Sequence, residues 1–446
     1  MFKDERWKFE LRSILSGANN SNATRFEAFE VGATDRKMHS NLVYSRIFVD
    51  VTHFVRRFAS NKAILGIETS CDDTAVAIVD QNGRILENRR VTSRAVQSRL
   101  GGICPGTSAD QHRSVIDALV TECLRNQRMR HADLQAVAVS DRPGLVICLK
   151  VGVDKALSLA REGRVDVVPV HHMRAHAMTP FLTDPTLKFP FLCLLISGGH
   201  SLICLAHNPD KFEVFGQSDC GSPGEAFDKI GRGLKLQDIE EFGNVHMGAA
   251  IEQLAKKAQN VFSYPLKQFP FARKADFNFM AIRNMYLTQI TKSEEIGDIS
   301  AFCASVQFSI AAHMCRKLHS ALDHLKEKHC LEHLVISGGV ASNQYIFNAV
   351  NKLAKFYGLR TIVPPPSLCT DNAAMIASAA WKMIEHRSLD VIPYSSLPAN
   401  LFVHANFPIG EDKRSEVPDR PKRRLSLKSV DGDRNLVFYG CGTDKL

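Results

Sequence analysis

The chain has 446 residues, of which 45% are hydrophobic and 23% are charged. A chain of this length is too long to fold around one hydrophobic core of ordinary size. It therefore predicts two domains with additional terminal segments. The composition is typical of a globular protein, and no apolar run approaches the length of a membrane span. The net charge of +9 is compatible with an RNA or phosphate-rich partner but does not require one, because basic faces are often merely solvated.

The twelve cysteines include no Cys-x-x-Cys pair and no spacing typical of a disulfide framework. Cys148, Cys193 and Cys204 lie inside apolar runs, where a reduced thiol acts as a small hydrophobic group. This usage favours a reducing compartment such as the cytosol or the mitochondrial matrix.

Residues 1–62 differ in composition from the rest and are predicted to form a leader outside the fold. Within residues 38–62, Arg and Ser alternate with apolar residues, and basic residues clearly outnumber the single acid, Asp50. This pattern is typical of a mitochondrial presequence, and a disordered polar extension is the alternative.

The folded part is predicted to begin at Ala63 with three strands, at residues 63–70, 74–79 and 84–86. The bend between the first two strands carries a group of polar residues, Thr69, Ser70, Asp72 and Asp73. Hydroxyls, N–H groups and carboxylates at such a bend suit a phosphate–metal complex. An ordinary polar hairpin turn accounts for the same residues.

A strand at residues 165–170 precedes His172 and His176, which are spaced i, i+4. On a helix this spacing places two imidazoles on one face, about 5–6 Å apart at Cβ. They can hold a transition metal if a third ligand arrives from elsewhere, or they simply share a helix face. Asp371 precedes a predicted helix at residues 373–386, where it either caps the helix or supplies that third ligand.

The order of predicted elements repeats along the chain. A hairpin at residues 191–206 is followed by a strand at 334–336, a glycine turn and a helix, as in the first half. Such internal similarity predicts two related α/β domains, residues 63–185 and 186–409, facing one another across a cleft. Ligands in α/β folds bind at such loops and helix N-termini. The charged segment 410–446 is predicted to be disordered.

The stretch at residues 264–283 is aromatic and basic. Its phenylalanines and cations suit single-stranded RNA, which offers stackable bases and phosphates. Core aromatics with a solvated basic rim are an equally good interpretation.

Six motifs occur in order, and together they resemble the tRNA N6-adenosine threonylcarbamoyltransferase family (TsaD). They are Gly-Ile-Glu-Thr-Ser-Cys-Asp-Asp-Thr at 66–74, His-His-Met-x-x-His at 171–176, Ser-Gly-Gly-His at 197–200, Gly-Glu-Ala-Phe-Asp-Lys at 224–229, Ser-Gly-Gly-Val-Ala-Ser-Asn at 337–343 and Cys-Thr-Asp-Asn at 369–372. The resemblance covers roughly residues 64–408, and the leader indicates the mitochondrial branch.

The resemblance implies an α/β fold of duplicated actin/Hsp70-like ATPase (ribonuclease H-like) domains facing a central cleft. It also implies one divalent metal ion, iron or zinc, held by His172, His176 and Asp371. Threonylcarbamoyl-AMP would be the substrate, and the implied contacts are Leu195, Ile196, Ser197, Gly198, Gly199, Asp228, Gly248 and Asn343.

The implied reaction transfers the threonylcarbamoyl group to N6 of the adenosine 3′ of the anticodon, in mitochondrial tRNAs that read codons starting with A. The implied setting is the mitochondrial matrix, with tRNA as partner, a separate threonylcarbamoyl-AMP synthase upstream, a homodimer and no membrane. We take Ser70, Asp72 and Asp73 as candidate catalytic residues. Asp72 or Asp73 would position the carbamoyl group or accept the amine proton.

The chain departs from the usual family pattern at residues 105–108, 141–142, 246–247 and 276–281. These departures fall at the expected nucleotide and tRNA contacts and leave the three expected metal ligands in place. Three rival functions remain: a metalloprotease, a sugar or acetate kinase of the same fold, and an inactive nucleotide-binding scaffold. Met173 stands where a zinc peptidase has its glutamate base, and a kinase does not need the histidine pair.

Overall fold

The computed structural model describes residues 62–92, 103–218, 220–243, 245–260, 263–266, 274–292, 296–423, 425–429 and 436–440. The predicted leader lies outside these residues, apart from Lys62.

The strands are β1 (Ala63–Glu68), β2 (Asp73–Asp80), β3 (Ile85–Thr92), β4 (Ala136–Arg142), β5 (Asp166–His171), β6 (Phe191–Ile196), β7 (Ser201–Ala206), β8 (Phe212–Gln217), β9 (His333–Ser337), β10 (Arg360–Ile362), β11 (Glu411–Asp412), β12 (Leu425–Ser429) and β13 (Leu436–Gly440). The α-helices are α1 (Pro105–Asn126), α2 (Val146–Gly163), α3 (His172–Met178), α4 (Pro223–Gly233), α5 (Met247–Lys257), α6 (Phe279–Lys292), α7 (Ile299–Leu325), α8 (Gln344–Phe356), α9 (Pro366–Cys369) and α10 (Ala373–Glu385).

The strands form two main sheets with the same internal order. The first sheet runs β3-β2-β1-β4-β5, and the second runs β8-β7-β6-β9-β10 with β11 added beyond β8. In the first sheet, β1 pairs antiparallel with β2 and parallel with β4. In the second sheet, β6 likewise pairs antiparallel with β7 and parallel with β9. The duplication inferred from the order of motifs is therefore confirmed at the level of topology.

The central strands are apolar because helices cover the sheets. One face of the first sheet packs against α1 and α2, and all six residues of β1 are buried. The other face packs against α10. A strand buried on both faces has no solvent side, so its sequence reads as a continuous apolar run rather than an alternating one.

Helix α10 lies on the first sheet, although its residues fall in the second half of the chain. Trp381 donates a hydrogen bond from Nε1 to the carbonyl of Val79 in β2, at 3.0 Å. Farther along, Ile392 bridges to Val167 of β5. The expected domain of residues 186–409 therefore does not describe the packing of this segment, which returns to the first sheet.

The charged tail begins with ordered packing. Residues 411–412 form β11, which pairs with β8, and Val417 is buried. The buried Asp323 accepts hydrogen bonds from the backbone N–H of Lys422 at 2.6 Å and of Arg423 at 3.4 Å. This part of the tail differs from the disorder expected from its composition, because a buried carboxylate of α7 binds its backbone.

The aromatic and basic stretch contributes to the core. Phe277 and Phe279 are buried, with ring centroids 5.3 Å apart, and so are not exposed for stacking on bases. The expectation of an RNA-stacking surface is wrong for these two residues. Lys267, Phe269, Phe271 and Arg273 lie outside the described residues.

A search of the described residues finds no helix with the length and apolar character needed to cross a membrane.

Gly338, in the turn after β9, allows us to test how tightly this turn must pack. Its φ is +95°, and a Cβ there would lie 2.4 Å from the carbonyl oxygen of Ile196. We expect Gly338→Ala to lower the free energy of unfolding by about 2–4 kcal/mol, because it adds a steric overlap to an unfavourable backbone conformation. Urea denaturation of the full chain measures this change.

Gly358→Ala is the matched control, because Gly358 also has a positive φ, +67°, but nothing within 4 Å of its Cβ position. We expect it to cost about 1–2 kcal/mol from backbone conformation alone. If both variants lowered the free energy of unfolding equally, the close contact between Gly338 and Ile196 would not account for the cost.

Candidate metal centre and substrate cavity

Helix α3 begins immediately after β5 because His171 caps it. The Nδ1 atom of His171 accepts hydrogen bonds from the backbone N–H of Met173 and of Arg174, and Nε2 donates to the carbonyl of Phe407 at 3.2 Å. Burial, with nearby Arg174, lowers the pKa of His171 to about 3. His171 is therefore a neutral structural residue, and the next residue is the first that can serve as a ligand.

His172 and His176 share one face of α3, as their spacing predicted, and Asp371 lies beside them, as the family resemblance implied. One ligand atom from each lies within 4.8 Å of the others. Oδ1 of Asp371 is 3.0 Å from Nε2 of His176 and 3.6 Å from Nε2 of His172. The two imidazoles are nearly perpendicular, with centroids 4.7 Å apart.

Asp371 is available for this role because its neighbour caps the helix. The side chain of Asn372 accepts a hydrogen bond from the backbone N–H of Met375 at 3.0 Å, and its amide group donates to the carbonyls of Leu368 and Thr370. The cap of α10 is therefore Asn372 and not Asp371, and the carboxylate of Asp371 faces the histidines.

The imidazoles and carboxylates of the centre stabilise one another's charges. Burial lowers the pKa of His172, but the carboxylates of Glu68 and Asp371 outweigh burial and raise it to about 9. Burial likewise raises the pKa of Asp371, yet His172 and His176 hold it well below its usual range. The centre therefore favours positive charge between two carboxylates, which a divalent cation also provides.

The donor set fits a divalent metal. Two imidazole nitrogens and one carboxylate oxygen are ligands that iron and zinc both accept. Nδ1 of His172 is hydrogen-bonded to Oε2 of Glu68 at 3.0 Å, so its other nitrogen is the one that can bind an ion. Nδ1 of His176 is buried and has no hydrogen-bond partner among the described residues.

The centre opens into a cavity of about 350 Å³. Residues from the first hairpin, the glycine turns, α4, α5 and the loop before α10 line it together. The lining residues are Asp72, Asp73, His176, Ser197, Gly198, Gly224, Phe227, His246, Gly248, Ala249, Glu252, Gly339, Val340, Ser342, Asn343, Cys369, Thr370 and Asp371. Most of the predicted site residues thus meet in one place.

Some predicted residues lie outside this lining. Leu195 and Ile196 are buried within β6. Asp228 lies on α4 and forms an ion pair with Arg232 at 2.8 Å. Ser70 is buried, and its Oγ lies 3.2 Å from Nδ1 of His172, the same nitrogen that Glu68 contacts. Gly199 is exposed in the turn after β6.

The turn after β6 contains internal hydrogen bonds. Oγ of Ser197 accepts hydrogen bonds from the backbone N–H of Gly199 at 3.2 Å and of His200 at 3.0 Å. These two N–H groups therefore already have an acceptor within the turn. Gly224 approaches the turn closely, since a Cβ there would lie 2.8 Å from the Cα of Gly198.

Asn343 and His246 cap the helices that border the cavity. Oδ1 of Asn343 accepts from the backbone N–H of Ile346 and from Nε2 of Gln307. Nδ1 of His246 accepts from the backbone N–H of Gly248 at 3.2 Å. The departure from the family pattern at His246 thus supplies a cap and places an imidazole in the cavity lining.

The first hairpin brings the carboxylates of Asp72 and Asp73 to the cavity. Arg90 contacts both Asp73 and the loop that carries Asp371. Burial raises the pKa of Asp73, whose carboxylate lies 3.6 Å from a guanidinium nitrogen of Arg90. The same nitrogen donates to Oγ1 of Thr370 at 2.7 Å and to the carbonyl of Asp371 at 3.3 Å.

Sequence reasoning missed Glu68, Arg90 and His246 as residues of the site. Glu68 carried a usable signal, because an acid at the end of an otherwise apolar strand needs a partner when buried. Arg90 carried none, since the residues that connect it to the candidate metal centre, Thr370 and Asp371, lie about 280 residues away in the chain. His246 could have been noticed as a polar residue before an apolar helix.

Comparison with known proteins agrees with the motifs. The family model for TsaD, tRNA N6-adenosine threonylcarbamoyltransferase, matches residues 84–378. The chain belongs to this family of transferases. The resemblance inferred from the six motifs is confirmed, and with it the duplicated actin/Hsp70-like α/β fold.

Three relatives illustrate the similarity. A Caenorhabditis elegans protein named "Probable tRNA N6-adenosine threonylcarbamoyltransferase, mitochondrial" is 43% identical over 90% of this chain and 95% of its own. The mitochondrial tRNA N6-adenosine threonylcarbamoyltransferase of Danio rerio is 34% identical over 82% of this chain and 94% of its own. The Homo sapiens protein of the same name is 38% identical over 73% and 81%. These names agree with the mitochondrial branch predicted from the leader.

Asp371 and Asn372 are adjacent, so single substitutions can distinguish the proposed metal ligand from the helix cap. We expect Asp371→Asn to weaken binding of zinc by at least about 100-fold, because loss of a ligand exceeds the effect of losing its supporting partner. The variant keeps the helix cap and therefore the fold. Titration of the full chain with zinc against a competing chelator measures the affinity.

Asn372→Ala is the complementary variant. We expect it to lower the free energy of unfolding by about 1–2 kcal/mol through loss of the cap, while zinc affinity changes little. Loss of zinc binding in Asn372→Ala with retention in Asp371→Asn would contradict the assignment.

Proposed function

We propose that the chain transfers the threonylcarbamoyl group of threonylcarbamoyl-AMP to N6 of the adenosine 3′ of the anticodon. The acceptors are mitochondrial tRNAs that read codons starting with A, and the product is N6-threonylcarbamoyladenosine. The observation that carries the proposal is the single cavity, which joins His176 and Asp371 to the acidic hairpin and the glycine turns. Membership of the transferase family supports it.

The transfer makes one bond and breaks another. The amine nitrogen of adenosine attacks the carbamoyl carbon, and the bond from that carbon to the phosphate oxygen breaks. AMP leaves with the electron pair, and the amine loses one proton. A site for this step must therefore accept a proton and stabilise charge on the departing phosphate.

Asp73 is the candidate proton acceptor, with Asp72 beside it. Both line the cavity, and burial raises the pKa of Asp73, which makes its carboxylate a stronger base than an exposed one. Arg90 limits this rise, because its guanidinium favours the ionised form that accepts the proton. Ser70 is better suited to a supporting role, since its hydroxyl contacts His172.

The glycine turns and helix starts are the candidate binding surface for the adenylate. Gly198, Gly248 and Gly339 expose backbone in the cavity lining, where a side chain would take up room that the substrate needs. The amide group of Asn343 lies in the same lining, and its oxygen is already engaged by Gln307. We therefore assign its nitrogen as the donor to a ribose or phosphate oxygen.

A divalent metal bound by His172, His176 and Asp371, iron or zinc, would act as a Lewis acid on a phosphate or carbamoyl oxygen. Around it the chain's own residues hold the site in place. The hydroxyl of Ser337, the last residue of β9, donates to the carbonyl of His176 at 2.8 Å and so links α3 to β9.

The proposal includes the setting of the reaction. We place the protein in the mitochondrial matrix, as the leader composition and the names of the relatives favour. A separate synthase supplies threonylcarbamoyl-AMP, and the active form is a homodimer. tRNA is the macromolecular substrate.

The metalloprotease alternative lacks the glutamate base of the His-Glu-x-x-His pattern, because Met173 stands in its place. Such a base must reach the water held by the metal, whereas Glu68 lies at Nδ1 of His172 and is fully buried. A serine nucleophile is also disfavoured, because Ser70 and Glu68 contact the same nitrogen rather than opposite sides of the ring.

The first test is transfer of labelled threonine to unmodified tRNA. The mixture contains the full chain, a threonylcarbamoyl-AMP synthase, threonine, bicarbonate and ATP. We expect label in the anticodon-loop adenosine with the unaltered chain and at least about a 100-fold lower rate with His176→Ala, because a metal ligand is lost.

His207→Ala is the control for this experiment. His207 is paired with Glu213 at 2.8 Å and lies outside the cavity lining. We expect a rate close to that of the unaltered chain. An inactive unaltered chain that still binds metal and nucleotide would favour the scaffold alternative.

A second test addresses the proton acceptor. We expect Asp73→Asn to lower kcat by about 10²–10⁴-fold with little change in KM for tRNA, because an amide cannot accept the amine proton. Full transfer rate in this variant would remove Asp73 from the reaction, and the same measurement on Asp72→Asn decides between the two acids.

A further inference from the structure

Glu68 is a buried carboxylate that contacts one of the two histidines and is not among the residues that line the cavity. It is the last residue of β1 and has no solvent exposure. Oε2 lies 3.0 Å from Nδ1 of His172, and Oε1 accepts a hydrogen bond from the backbone N–H of Ser70 at 2.6 Å. Both carboxylate oxygens therefore have partners in the part of the chain that the structure describes.

The direction of these hydrogen bonds follows from the chemistry of the groups. An ionised carboxylate can only accept, so the Nδ1 atom of His172 must donate. A proton held at Nδ1 leaves Nε2 as the atom that faces Asp371, at 3.6 Å. The carboxylate thus selects which nitrogen of His172 points into the centre.

The two histidines of the centre differ in this respect. Nδ1 of His176 is buried without a hydrogen-bond partner among the described residues, and its other nitrogen contacts Asp371. In His172, by contrast, Nδ1 contacts the carboxylate of Glu68 and lies 3.2 Å from Oγ of Ser70. The orientation of the His172 ring therefore depends on a partner that His176 lacks.

We propose that Glu68 is a positioning residue of the metal centre, which fixes the proton of His172 on Nδ1 and holds Nε2 toward His176 and Asp371. This inference rests on the proposed function only in assuming that the three residues bind a metal. Carboxylate partners of this kind orient histidine ligands in many metal sites, and their loss typically weakens metal binding by about 10–100-fold.

The test uses zinc and cobalt(II) binding by the full chain, so that it does not depend on transferase activity. Glu68→Gln keeps the shape of the side chain but removes the negative charge and adds a donor that can face Nδ1. We expect its zinc dissociation constant to rise by about 10–100-fold, and the visible absorption of the cobalt(II) form to shift as the geometry changes.

Two further variants separate positioning from a loss of fold. Glu68→Asp retains the carboxylate on a shorter stem, and we expect partial retention of affinity, between those of Glu68→Gln and the unaltered chain. Asp323→Asn removes another buried carboxylate, one that binds the backbone of the tail and contacts none of the three ligands. We expect its zinc affinity and cobalt spectrum to be unchanged.

The outcomes are distinct from those of the proposed function. If Glu68→Gln binds zinc and cobalt(II) as the unaltered chain does, the positioning role is overturned. If Glu68→Gln and Asp323→Asn weaken binding equally, the effect is a general loss of structure and the role is again overturned. An unaltered chain without transferase activity, whose zinc affinity still falls in Glu68→Gln, would contradict the proposed function while supporting the role of Glu68.

Discussion

The packing of α10 on β1 determines where the three proposed metal ligands, His172, His176 and Asp371, meet. Gly66 makes this packing possible, since a Cβ there would lie 2.3 Å from the carbonyl oxygen of Ala373 at the start of the helix. Asp371 lies two residues before that point and so faces α3, which follows β5 of the same sheet. Ligands that are 195 residues apart in the chain are therefore positioned by a single sheet. The three residues are therefore carried by elements of the first sheet, and Ser337 of the second sheet also binds α3 through the carbonyl of His176.

The same arrangement concentrates charge, and the surrounding contacts show how the fold tolerates it. A buried carboxylate without a partner costs several kcal/mol, so each acid of the centre needs a compensating group. Glu68 has His172 and the backbone of Ser70, Asp371 has both histidines, and Asp73 has Arg90. Arg90 also binds the loop that carries Asp371, and it therefore links the candidate proton acceptor to the metal ligands through one side chain.

The sequence predicted those features that depend on local spacing. The i, i+4 histidines, the hairpins and the repeated order of strand, turn and helix are all local patterns, and the structure contains them. The sequence alone did not show whether Asp371 or Asn372 caps α10, because either residue type can cap a helix. Only the structure shows that the cap is Asn372. The aromatic stretch was ambiguous for a similar reason, since exposed and buried phenylalanines have the same local pattern. The placement of α10 on the first sheet and the docking of the tail on Asp323 depend on contacts over long sequence separations, which no local pattern reports.

The duplicated hairpins have diverged in a way that suits a group transfer. The first hairpin carries Asp72 in its turn and Asp73 at the start of β2, whereas the equivalent turn between β6 and β7 carries Gly198 and Gly199. One turn thus offers acceptors for a proton, and the other offers backbone with little steric bulk. A reaction in which an amine loses a proton while a phosphate departs needs an acceptor for the proton and groups that stabilise the departing phosphate. Because each turn comes from a different sheet, neither half of the duplicated fold contains the whole site, and the cavity between the turns is where the two chemistries meet.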